Sequence, residues 1–241
     1  SPLHLHLFHE TWAGQARVPV DLDETGLFEA FLTRLAKEHP GLEERLQLLA
    51  EVMLERREAL LPIEVAEKWE EEAGRQAGTM AARLAKLTPV EELVAASILM
   101  RPVEEGQGSQ RKLIGYRFSH QSLASAVLAR RLRTRLKGRE VPSAEELLAW
   151  AREASGEGRE GQKPFAELVD AVATFVVACT GAGDGEAIAM LLDLECERVR
   201  NEVVGAALIA YGSLRNADET DQSRSASFWK TFCRAVEDDG R

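Results

Sequence analysis

Histidine, cysteine and glycine clusters are the features of this chain that could do chemistry, and their spacing limits what that chemistry is. His4, His6 and His9 share one short segment with Glu10. On a helix His6 and His9 stand three apart and His6 and Glu10 four apart, a spacing able to close on Zn²⁺. No second cluster supplies the remaining ligand and the HExxH order is absent, so a polar helix face is the expected role and no metal is expected. His120 sits where an alternating apolar run gives way to helical spacing. An imidazole at a helix start lies beside unpaired backbone N–H groups, a place that favours anions and phosphates; capping a turn is the plainer role. Gly181-Ala182-Gly183-Asp184-Gly185 has the look of a phosphate loop, but it joins two helical stretches with no preceding strand and no lysine, and is expected to be a turn. There is no GxSxG, no GxxxxGK[ST] and no pair of carboxylates with a shared pocket. No catalytic residues are expected.

The composition is that of a folded protein: 241 residues, 45% hydrophobic and 29% charged. This excludes a chain disordered throughout and leaves ample material for a core. The net charge is −10 and the sequence pI about 5.2, which argues against generic affinity for nucleic acid or an anionic membrane. Cys179, Cys196 and Cys233 form no CxxC pair and are odd in number, so no disulfide framework is expected and a reducing, cytoplasmic setting is. No apolar run reaches the roughly 18 residues of a membrane span. The chain opens on Ser-Pro-Leu without a basic n-region or a methionine, as expected of a segment that starts inside something larger or was trimmed.

Charge is distributed unevenly. Nine basic residues (Arg111, Lys112, Arg117, Arg130, Arg131, Arg133, Arg135, Lys137 and Arg139) fall in one stretch that holds no acidic residue. The expected role is a solvated or interdomain face that pairs with the acidic run Glu64 to Glu72.

Helical periodicity runs through most of the chain. Helices are expected over Pro2–Trp12, Asp23–Ala36, Leu42–Leu60 and Ile63–Ala73, and over two short stretches between Thr79 and Leu99 divided at Thr88-Pro89. The period then changes to two over Ile98–Val103 and Lys112–Phe118, a hairpin with a glycine-containing loop at residues 104–109. Ser119–Leu136 returns to helix. Short helices followed by a hairpin make a winged-helix pattern. From Ser143 the chain reads as paired helices (144–154, 165–179, 186–194, 196–211 and 225–236), with polar connectors at 155–163 and 216–225. The expected fold class is mainly α: a small helical domain (1–78), a winged helix with a small β-hairpin (79–140) and a C-terminal helical, solenoid-like domain (141–241).

Two of these segments together resemble a known family. Ser1-Pro2-Leu3-His4-Leu5-His6-Leu7-Phe8 is similar to the xPLxLxLF segment that opens the helical domain behind the nucleotide-binding core of STAND-class P-loop NTPases of NACHT and NB-ARC type. Tyr116-Arg117-Phe118-Ser119-His120-Gln121-Ser122-Leu123, continuing to Ala129-Arg130-Arg131-Leu132, resembles the FxHxSxxEFLAA-type segment of the winged-helix domain in NACHT proteins. The order of domains fits as well, and the resemblance covers residues 1 to about 136. It implies that Pro2 packs against the adenine and that His120 contacts the β-phosphate of bound ADP, holding a closed, inactive state. Ser125 or Ala126 stands where that family commonly has Glu, which changes the local surroundings of His120.

The resemblance places the Walker motifs upstream of residue 1. It implies a regulatory and oligomerisation segment, not itself an enzyme, in a parent ATPase that binds ADP or ATP. The partners implied are the upstream nucleotide-binding domain of the same polypeptide and either a protein trigger or further copies of the chain, with no membrane. Signalling or antiphage defence is the implied setting. Two other readings compete: a winged-helix DNA-binding regulator with a helical dimerisation or ligand domain, and a helical protein-interaction scaffold.

Overall fold

The computed structural model describes residues 8–9, 11–12, 24–39, 41–76, 89–105, 112–159, 161–215 and 219–238. Ten helices and three strands lie among them. In order they are α1 (Glu24–Glu38), α2 (Leu42–Arg56), β1 (Leu60–Pro62), α3 (Ile63–Gln76), α4 (Pro89–Ala95), β2 (Leu99–Glu105), β3 (Lys112–Phe118) and α5 (Gln121–Arg135). There follow α6 (Ala144–Ser155), α7 (Ala166–Gly181), α8 (Gly185–Met190) with a 3₁₀ turn at Leu191–Asp193, α9 (Glu197–Arg215) and α10 (Glu219–Asp238). The fold is mainly α with one small antiparallel sheet. Among the described residues no helix is long and apolar enough to cross a membrane.

The sheet has the order β1-β3-β2. The expected hairpin is present, and β3 is also paired on its other side, Leu60 with Arg117, Leu61 with Tyr116 and Pro62 with Gly115. A helix, an edge strand, helices and then a hairpin, with the last strand in the centre, is the winged-helix arrangement. Gly115 permits it: a Cβ there would overlap the Leu61 carbonyl. The helix expected over Leu42–Leu60 ends earlier, and Leu60 opens a strand. Helix α2 stops at Arg57, which takes a left-handed conformation (φ 54°) and returns its N–H to the Met53 carbonyl. Three apolar residues carry no readable alternation, and pairing with β3 decides their conformation.

By compactness the chain divides into two units, residues 1–127 and 128–241, and the division falls inside α5. The domain boundaries expected from the sequence lie at 78/79 and 140/141. The first separates β1 from β3, strands that share a sheet; the second comes after α5, the latter half of which belongs with the C-terminal unit.

Phe28, Leu32, Leu46, Leu49, Met53, Leu61, Leu93 and Ile98 fill the core of the first unit, each about 2% exposed or less. In the second, Trp150 meets Phe175 edge to face with ring centroids 5.2 Å apart, and the Arg133 guanidinium lies 6.0 Å above the same Phe175 ring. Cys179 is fully buried there, and burial pushes its thiol up to about 12, so it remains an unreactive apolar group.

Helix α6 opens with a full capping box. The Ser143 hydroxyl accepts from the Glu146 N–H, and the Glu146 carboxylate accepts from the Ser143 N–H at 2.8 Å. The Arg139 guanidinium donates to the same carboxylate at 2.6 Å. That bond, and then the backbone bond, hold the Glu146 carboxyl down at about 2. A carboxyl depressed on folding contributes stability that is present in full above its ordinary value of 4.5 and lost as pH falls through about 2. Glu146→Gln is therefore expected to cost about 1 kcal/mol at neutral pH. The difference from wild type should close on acidification; denaturant midpoints taken across that range check it, and a difference independent of pH would exclude this role.

Candidate functional site

His120 stands between the end of β3 and the start of α5, held through its neighbour Ser119, its own carbonyl and its ring. The Ser119 N–H donates to the Ile98 carbonyl at 3.0 Å, and the Ser119 hydroxyl donates to the carbonyl of Ser97, a residue in left-handed conformation (φ 58°) between α4 and β2. These bonds tie the strand-to-helix turn to the α4–β2 turn. The His120 carbonyl begins the helix, accepting from the Leu123 N–H at 3.1 Å. Its ring then stacks on Phe28 of α1, with centroids 6.0 Å apart and planes inclined by 20°.

The ring also caps the helix: Nδ1 accepts from the Ser122 N–H at 3.2 Å. The side chain is half-buried. The turn-capping role expected of this residue is thus filled by Nδ1. Sequence reading had no signal for Phe28, which lies some ninety residues earlier and is brought in by the packing of α1.

Behind His120, α5 is buried on every side from Leu123 to Ala129. The expected apolar stripe of Leu123, Val127, Leu128 and Leu132 is buried, but so are Ala124, Ala126 and Ala129. Ser125 is buried too, its hydroxyl donating to the Gln121 carbonyl at 3.3 Å. A glutamate here would have to be desolvated, which accounts physically for the absence of an acidic residue.

Pro2, the other expected nucleotide-binding residue, lies outside the described residues, as do His4, His6 and Glu10; His9 is exposed. The wing tip, residues 106–111, also lies outside them.

Two residues at the end of the basic stretch have partners on α6. Arg139 reaches Glu146 and Arg135 lies 3.8 Å from Glu153, both on α6, while Glu64 pairs with Arg56 at 3.0 Å. Further along α3, the Glu70 carboxylate accepts from the Val90 N–H and so caps α4. Arg45 forms an ion pair with Glu92 of α4. The Tyr116 hydroxyl is pushed above its ordinary range by burial and then by Glu70, Glu91 and Glu67. Acidic side chains of α3 and α4 thus surround the Tyr116 hydroxyl.

The glycine-rich segment 181–185 is a tight turn, as expected. Asp184 caps α8 by accepting from the Ala187 N–H at 3.0 Å, and the Gly185 N–H donates to the Thr231 hydroxyl of α10 at 3.0 Å. Its glycines serve helix packing: a Cβ on Gly185 would overlap the Phe228 carbonyl and the Phe232 amide nitrogen.

No family model, no curated protein and no solved structure matches this chain.

Proposed function

We infer that the chain is the regulatory and oligomerisation segment of a NACHT-like STAND NTPase. In this reading it closes over ADP in the resting state and relays a trigger sensed by its C-terminal helices, in signalling or antiphage defence in the cytoplasm. It performs no catalysis itself; the nucleotide and the residues that hydrolyse it belong to the parent polypeptide. The observation that carries the reading is the seat of His120. The residue stands in the turn after the third strand of a winged-helix sheet, at the start of α5, its ring stacked on Phe28 and its Nδ1 accepting from the Ser122 N–H.

The two-state logic follows from differential contacts. A ligand that bridges the nucleotide core and this histidine stabilises only the arrangement in which both touch it. Loss of the bridge on exchange for ATP, or on binding of a trigger, releases the segment to oligomerise. Glu91 of α4 and Glu67 and Glu70 of α3, the acidic side chains around Tyr116, work against the DNA-regulator reading, because they repel the phosphate backbone.

Nucleotide content of the full polypeptide is the test. The wild-type protein is expected to retain ADP through purification, and His120→Ala to weaken that retention about 10- to 100-fold, as for one lost bond to a charged group. Basal activity should rise with it. Unchanged ADP retention in the mutant would sink the assignment.

A further inference from the structure

Helix α9 buries one face and leaves the opposite one bare. Val199, Val203 and Ala207 are buried, whereas Leu208 is 51% and Ile209 75% exposed. Flanking them on the outer side are Gly205 and Gly212, where an added Cβ would meet nothing within 4 Å. Beyond these stand Glu202 and Arg215, both exposed and neither in an ion pair among the described residues. Adjacent large apolar side chains held in water on a helix face are a feature of interaction sites.

The arrangement is symmetric about the peptide bond between Leu208 and Ile209. Gly205 and Gly212 are equidistant from it, and so are Glu202 and Arg215, with opposite charge. We propose that α9 is the surface through which two copies of this chain pair, their α9 helices antiparallel about a two-fold axis at the Leu208–Ile209 step. An isologous contact requires a patch complementary to itself, and this stripe is: each Glu202 faces the other copy's Arg215, and each Leu208 the other copy's Ile209. The glycines let the backbones approach on either side of the apolar centre. Glu202 and Arg215 lie about 10 Å from the crossing point, close enough for long side chains to meet when helices cross at a shallow angle. A partner of unrelated sequence would not need the mirror placement of opposite charges; a second copy does.

One helix face is smaller than the roughly 800 Å² per partner of a standard interface, so the dimer is expected to be micromolar and weakened by salt. It is independent of the nucleotide reading, and the test uses the full chain without nucleotide.

Sedimentation equilibrium from about 1 to 200 µM spans the expected affinity. Wild type should dimerise, and Ile209→Asp, at an exposed position that leaves the helix intact, should be monomeric throughout. Glu202→Arg and Arg215→Glu should each weaken dimerisation about tenfold, since every substitution acts twice across the axis. The double variant, which exchanges the two charges, should restore the wild-type constant. A wild-type monomer at the highest concentration would overturn the proposal. So would a dimer indifferent to Ile209→Asp, or single-charge effects that add instead of cancelling in the double variant.

Discussion

Gly185→Val is expected to expel α10 from the C-terminal unit. At this position α8 begins against the backbone of α10, and a side chain would occupy the space of the Phe228 carbonyl, the Phe232 amide nitrogen and the Thr231 hydroxyl. Two of these three atoms are backbone and cannot rotate aside, so α10 itself has to shift. With it go the bond from the Gly185 N–H to Thr231 and the burial of Phe228, which is 1% exposed. Forcing volume into a packed joint costs about 1–3 kcal/mol where side chains can adjust, and more where backbone must move. A fall in the thermal midpoint of about 10 °C is expected. Limited proteolysis should cut first within residues 219–238, and the fluorescence of Trp229, stacked with Phe232 and close to Tyr211, should change in parallel. A variant with the wild-type midpoint and an uncut α10 would show that the joint is not tight.

Phe28→Ala should be the most damaging single change in the N-terminal unit. The ring is 1% exposed and stacks on His120, so truncation removes a large buried surface and leaves a cavity, for a cost of about 3–5 kcal/mol. Phe28→Leu separates packing from positioning. It keeps most of the buried volume, at about 1 kcal/mol, but takes away the flat face against which the imidazole lies. If the nucleotide reading holds, Phe28→Leu lowers ADP retention by the full polypeptide well beyond its small effect on the midpoint. Equal retention by Phe28→Leu and wild type would show that His120 needs no stacking partner to hold its orientation.

What the sequence made legible was local. The period-two run at Lys112–Phe118 and the helices after it, α10 apart, are found within a few residues of the expected ends, because alternation, glycine and capping residues act over one or two turns. His120 at a helix start belongs to the same class, since a strand pattern followed at once by helical spacing defines that junction. Four features escaped. β1 is three residues long and forms only because β3 lies alongside it. Residues 219–224 read as a polar connector, yet they open α10, whose helical state is supported by packing through Phe228 further along. The partner of His120 lies on α1, and the reason for Gly185 lies on α10, 46 residues away. Each depends on which elements meet, and spacing within one segment carries no record of that.

The small sheet also bears on how the protein avoids unwanted polymerisation. Its two outer strands are β1, of three residues ending in Pro62, and β2, which contains Pro102 and is out of even register at two points along β3. Proline offers no N–H to an incoming strand, and an irregular or very short edge gives it no straight template. Amyloid-like growth from either side of the sheet is thereby hindered even when chains are concentrated. Any ordered assembly is left to helical surfaces, where pairing saturates once two faces have met.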